Sequence, residues 1–267
     1  MRMHAAAMLT AGCLLPLVAM ATEGALCSAH SGPRTAALVE LYTSEGCSSC
    51  PPADRTLGHL RQVLGADADG VGLALHVNYW DYIGWRDPWA QEIFSERHQW
   101  LVHANHHDVV YTPHFFVNGV ELSSGQTRLR EQVREINSRP AQASIALSAR
   151  HPTPGLFTVE AAVQTSERVG PAALYVALAQ SGLSSNVLRG ENAGRTLTHD
   201  HVVRVWIGPL ALSNGQARVH RDLVVPDGAP DAQWELAAFV QEQQTGKVVQ
   251  ALELAPCPQS SGAPTQP

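Results

Sequence analysis

The spacing of apolar positions changes character near residue 140 of the chain. Residues 36 to 43 (AALVELYT) form an apolar run with β-branched content, which predicts a buried strand. Residues 53 to 64 (ADRTLGHLRQVL) place Leu57, Leu60, Val63 and Leu64 at helical spacing. The pair Pro51-Pro52 suits the first turn of that helix, where backbone N–H groups lack partners anyway. Residues 71 to 77 predict a second buried strand, residues 90 to 103 a helix and residues 114 to 117 a short strand. Asn118-Gly119 is a strong hairpin signal leading into Val120-Glu121-Leu122. Residues 126 to 137 carry apolar positions at 129, 133 and 136, the stripe of an amphipathic helix. The predicted order is β-α-β-α-β-β-α, with Cys47-Ser48-Ser49-Cys50 between the first strand and the first helix.

After Arg139-Pro140 the pattern becomes alternating and β-rich. Runs at 143–150, 156–164, 173–180, 199–208, 217–225, 233–241 and 247–254 are punctuated by Pro, Gly, Asn and Asp. Seven such runs predict an antiparallel β-sandwich. The polar stretch Gly190 to Arg195 has neither a nucleotide fingerprint nor a complete calcium loop, so it reads as a loop. Arg189, His199 and His201 lie around it as a weaker candidate polar site.

Composition narrows the function classes. The chain has 267 residues, 45% of them hydrophobic, which excludes wholesale disorder. Lys and Arg total 18 against 24 Asp and Glu, and a net charge of −6 argues against a nucleic-acid partner. The N-terminus carries Arg2, an apolar run over residues 5 to 20 and the small-x-small sequence Ala19-Met20-Ala21, so residues 1–21 read as a cleaved signal peptide. The expected location is periplasmic or secreted, with no membrane span after signal removal. Of five cysteines, Cys13 leaves with the signal. In an oxidising compartment the other four are expected to be paired or catalytic. Cys27 and Cys257 stand near the two mature ends, and a bridge between them would tie the termini together; the alternative is two cysteines in flexible tails.

The β-α-β-α-β-β-α order with CxxC at the first strand-to-helix junction resembles the thioredoxin fold. More closely, VELYTSEGCSSCPPAD, HVNYWDYIGWRDPW and YTPHFFVNG resemble an uncharacterised family of exported bacterial thioredoxin-like proteins, and the resemblance continues at VLRGENAGRTLTHDHVVR. Asn78 and His114 depart from that family's pattern, which carries an acidic residue and a glutamine there. The resemblance implies an α/β thioredoxin-like domain over residues 36–139, preceded by a linker over 22–35. An antiparallel β-sandwich follows over 140–256, and a C-terminal tail over 257–267. It also implies that Thr112-Pro113 occupies the place of a cis-proline facing the CxxC pair.

The implied activity is thiol–disulfide exchange with a protein or small-thiol partner. A thiolate, not a thiol, attacks a disulfide, and a helix N-terminus lowers a cysteine's pKa. Cys47 is therefore expected to be exposed and nucleophilic, with Cys50 buried as its resolving partner. A cis-proline would turn the Thr112 backbone outward to pair with an extended substrate. Glu40, inside the strand leading to the cysteines, would accept the Cys50 proton; otherwise it faces outward or pairs with an arginine. Asp54 and Asp81 are competing acids. Tyr79, Trp80, Tyr82, Trp85 and Trp89 form either core or an apolar platform beside the pair. No cofactor is expected beyond the redox disulfide. The alternative function is a non-enzymatic binding or metal-delivery protein holding copper or zinc through Cys47, Cys50 and His114, since thiolate and imidazole suit those ions.

Overall fold

The computed structural model describes residues 26–123, 126–153, 155–225 and 233–254. The expected signal peptide, the tail and Cys257, with its expected bridge to Cys27, lie outside the described residues.

Strand β2 (Ala37–Thr43) is buried throughout, as its apolar run requires, and it organises the first half of the chain. It pairs in parallel with β3 (Gly70–His76) and antiparallel with β4 (His114–Val117). β4 turns at Asn118-Gly119 into β5 (Val120–Glu121). Both turn residues have positive φ, 49° and 77°, the conformation that a two-residue hairpin demands. Glycine is required at 119 for a second reason: a Cβ there would sit 1.8 Å from the Gly246 carbonyl oxygen.

The helices are α1 (Pro51–Gly58), α2 (Leu60–Leu64), α3 (Glu92–Ala104) and α4 (Gln126–Asn137). The helix expected over 53–64 is broken at His59, whose φ of −106° and ψ of 25° are not helical. Helices α1, α2 and α4 cover the face of the sheet that carries Ala37, Val39 and Leu41. Helix α3 covers the opposite face, against Leu38 and Tyr42.

The second half supplies β6 (Ala143–Thr153), β7 (Leu156–Thr165), β8 (Ala172–Gln180), β9 (Leu183–Asn186), β10 (Thr196–His199), β11 (Val202–Ala211), β12 (Gln216–Val224), β13 (Trp234–Glu242) and β14 (Val248–Leu254). With β1 (Leu26–His30), strands β6, β7 and β12 form an antiparallel sheet in the order β1-β6-β7-β12. β9 and β10 form a separate hairpin.

The expected α/β thioredoxin-like domain with a separate β-sandwich is corrected by the sheet order. One eight-stranded mixed sheet runs β14-β13-β8-β11-β3-β2-β4-β5, drawing strands from both halves. The join is the outer edge of β3, which β11 meets in parallel at Val202 and Ala74. An unpaired parallel edge exposes backbone donors and acceptors, and at this join the Ala74 N–H donates to the His201 carbonyl at 2.8 Å. The cores merge accordingly: Leu38, Tyr42 and Leu73 pack in one cluster with Tyr175, Val203 and Phe239. Strand β8 is buried on both faces because one side meets this cluster and the other meets the four-stranded sheet. The molecule is predominantly β.

Candidate functional site

Chain direction reverses sharply after β2. Ser44 accepts from the Cys47 N–H (3.1 Å) and Cys47 from the Cys50 N–H (3.2 Å), a tight turn that ends where α1 begins. Cys50 occupies the N-cap, and its carbonyl accepts from Ala53 N–H and Asp54 N–H at 2.8 and 3.1 Å. Pro51 and Pro52 fill the first turn without adding orphan donors. Cys47 and Cys50 are joined in a disulfide, their Cα atoms 5.4 Å apart.

Trp80 links this turn to the proline. A Cβ on Gly46 would lie only 3.0 Å from the Trp80 Cβ, so a glycine there lets the tryptophan lie against the turn. The Trp80 indole N–H then donates to Thr112 Oγ1 at 2.7 Å. The Thr112–Pro113 peptide is cis. Trp80 thus touches both Gly46, next to Cys47 in the turn, and Thr112, next to the cis-proline. The aromatic segment divides its roles: Tyr79 and Trp80 pack against the core, while Tyr82 is 81% exposed.

The expected exposure of Cys47 is corrected: it is 1% exposed, and Cys50 is fully buried. The loop between β9 and β10 lies against this turn. The Asn192 side-chain amide donates to the carbonyls of Glu45 (2.8 Å) and Cys47 (2.9 Å). A Glu191 carboxylate oxygen accepts from Ser48 N–H (2.9 Å) and Ser48 Oγ–H (2.7 Å). A lone sequence cannot supply this contact, because it joins positions more than 140 residues apart.

Beneath the turn lies a buried polar cluster that sequence reading missed in part. Glu45 receives hydrogen bonds from Trp85 Nε1 (2.8 Å) and Ser185 Oγ, and His199 Nε2 lies 3.0 Å from its carboxylate. Burial pushes the Glu45 carboxyl up, but the bonds from His199 and Ser185 outweigh it and hold it below the usual carboxylate range. Asp87 accepts from Glu45 N–H and lies 2.8 Å from His76 Nδ1. Burial opposes that ion pair, yet the pair prevails: His76 is held above the ordinary imidazole range and Asp87 below the ordinary carboxylate range. Asp54 accepts from Thr43 Oγ1 at 2.7 Å, and burial raises its carboxyl despite His199 and His76 nearby. The signal that could have found Glu45 is its place one residue before Gly46 at a strand end; nothing local marks Asp87 or Ser185.

The remaining sequence candidates are distributed differently. Glu40 lies on the opposite face of β2 and accepts from Arg97 Nε at 2.7 Å, so its partner is an arginine. Asp81 sits in a short 3-10 turn, where its carboxylate accepts from Asp87 N–H at 3.2 Å. His201 pairs with Glu235 at 2.6 Å, away from His199. His114 adjoins the cis-proline, but its Nδ1 lies 2.8 Å from His98 Nε2, and its Nε2 lies 3.1 Å from Glu121. Burial and the neighbouring His114 push His98 down to about 3, and burial lowers His114 as well despite Glu121. Both imidazoles are thus neutral at ordinary pH. Among the described residues, no three His, Cys, Asp or Glu side chains are arranged to hold a metal ion. No helix among them is long and apolar enough to cross a membrane.

Comparison with known proteins places the chain in its family. Among solved structures it is similar to protein AGR_C_4864 of Agrobacterium tumefaciens, at 25% identity and a TM-score of 0.58, covering 85% of this chain and 97% of that one. It is also similar to HBP35 of Porphyromonas gingivalis, at 15% identity and a TM-score of 0.64, covering 83% and 75%, a likeness of fold alone. No curated protein matches it. Residues 38–241 match the family described as a protein of unknown function (DUF1223). That span contains the disulfide, the cis-proline and the Glu191–Asn192 loop, and the chain belongs to the DUF1223 family.

Proposed function

We propose that the Cys47–Cys50 disulfide exchanges with the thiols of a protein or small-thiol partner in an exported setting. The observation that carries this reading is the disulfide itself, closed between a strand end and the N-cap of α1, with Trp80 running from Gly46 of that turn to Thr112 of the cis Thr112–Pro113 peptide. A helix N-terminus stabilises a thiolate, which makes either sulfur of such a pair a better leaving group than an ordinary cysteine.

In the reductive half, a partner thiolate attacks Cys47 Sγ, forms a mixed disulfide and expels Cys50 as a thiolate. A second partner thiolate then attacks the partner's own sulfur in that bond and expels Cys47. Two electrons and two protons pass from the partner dithiol to this chain, and the partner leaves as a disulfide. The reverse sequence oxidises this chain and reduces the partner. Asp54 suits the proton step on the Cys50 side: it lies one helical turn on, and burial favours its protonated form. Glu40 does not share that side of the strand. Thr112 is proposed to hold an extended partner segment beside the sulfur through its backbone. The predicted signal peptide supports export.

The test is capture by Cys50→Ala, which leaves Cys47 unable to resolve a mixed disulfide. The expected result is a covalent complex with a model disulfide peptide, released by dithiothreitol and absent in Cys47→Ala. No complex, together with no thiol–disulfide exchange by the wild type, overturns the reading.

A further inference from the structure

The turn that carries the disulfide is at the surface, since Ser48 and Ser49 are exposed, yet the Cys47 sulfur has almost no access to solvent. The loop between β9 and β10 holds this turn through specific bonds. Asn192 is fully buried and uses all of its principal polar capacity: both carbonyls of the turn take its amide protons, and its own oxygen accepts from Arg195 Nη1 at 2.8 Å. Beside it, Glu191 takes the Ser48 N–H and hydroxyl. The Ser49 hydroxyl lies 3.3 Å from the Cys47 sulfur, and the Ser48 N–H beside it in the same turn is already taken by Glu191. A carboxylate seated there removes the donor and adds a like charge, and both effects disfavour the thiolate. The loop is guided rather than loose, because the hairpin beneath it is anchored to Glu45 by Ser185 and His199.

We propose that Glu191 and Asn192 are positioning residues of the thiol site: seated, Asn192 shields Cys47 and Glu191 withholds the Ser48 N–H, and a partner must displace them to exchange. This inference rests on the exchange reading for its purpose. Its geometry and its test do not need exchange to occur. Glu191 itself is held below the usual carboxylate range by its bonds to Ser48, so it stays charged at ordinary pH.

The experiment follows alkylation of Cys47 by iodoacetamide against pH in a Cys50→Ala background, with Cys47 mapped by mass spectrometry. Glu191→Gln and Glu191→Ala are expected to shift the profile to lower pH and to speed alkylation about tenfold on its rising limb, roughly one pKa unit. Glu191→Asp, which keeps the charge, is expected to hold the profile near that of the parent. Asn192→Ala is expected to speed alkylation at every pH, without a comparable shift. Profiles and rates unchanged in both Glu191→Gln and Glu191→Ala overturn the proposal, and Glu191 is exposed, so those variants are expected to fold. If the shifts appear while Cys50→Ala captures no partner and the wild type shows no thiol–disulfide exchange, the positioning role stands and the exchange reading falls. If capture succeeds while the profiles stay fixed, the reverse holds.

Discussion

Two buried charge networks lie on opposite faces of β2, and they differ in what they reach. On the α3 face, Arg97 bonds Glu40 and Gln241 while its guanidinium lies 4.9 to 5.7 Å from the ring centres of Trp100, Tyr175, Trp206 and Phe239. That network joins β2 to β8, β11 and β13, and it touches neither the disulfide nor the surface loop. On the α1 face, Glu45, Asp54, His76, Asp87 and His199 sit under the CxxC turn and connect, through Ser185 and Asn192, to the β9–β10 hairpin. Burial of charge is common to both. Contact with the CxxC turn and with the β9–β10 loop belongs to only one, which is why the first reads as a tie between the two halves and the second as a candidate site.

The sharpest way to break this comparison is to unpair the first network. Arg97→Met leaves the Glu40 carboxylate buried without its cation, and a loss of about 3–5 kcal/mol in unfolding free energy is expected. Adding Glu40→Leu should recover much of it, and alkylation of Cys47 in a Cys50→Ala background should stay unchanged. Urea unfolding of the single and double variants measures this; a loss no larger in the single than in the double variant would deny the tie.

The next effect is on pH. His98 is neutral in the fold, with a pKa near 3 against an ordinary 6.5, so the unfolded chain binds a proton that the folded chain refuses. Its contribution is complete above about pH 6.5 and falls as pH drops towards 3, by about 3 kcal/mol over the first two units. His98→Gln should flatten that part of the acid limb of urea midpoint against pH. An unchanged slope would show that the His98–His114 contact does not exclude the proton.

The smallest effect separates the two acids. Asp54→Asn is expected to slow exchange with a dithiol by about a hundredfold, the lower range for a lost proton acceptor. Glu40→Gln is expected to leave the rate within about twofold at a temperature where both variants are folded. Stopped-flow exchange kinetics would reverse the assignment if Glu40→Gln were the slower variant.

Much of the first half was legible because its signals are local. The apolar runs of β2 and β3, the stripe of α4 and the Asn118-Gly119 turn each depend on neighbours a few residues away. The joining of the two halves was not legible, since it depends on which edge meets β3, and only Val202 and Ala74 mark that meeting. The hairpin β9–β10 escaped notice because Leu183–Asn186 and Thr196–His199 are four residues each and largely polar. The cysteines and Thr112-Pro113 stood out by residue type. The contacts of the CxxC turn with Glu191 and Asn192 could not, because those residues come from the other half of the chain.

The central claim is that Cys47–Cys50 is an exchangeable bond rather than a staple. Equilibrating the folded protein across glutathione buffers of increasing reducing strength, and counting the Cys47 and Cys50 thiols by alkylation and mass, tests it directly. The expected result is a reversible two-electron transition in which both thiols appear together while the protein stays folded. A disulfide that persists until the chain unfolds would contradict it.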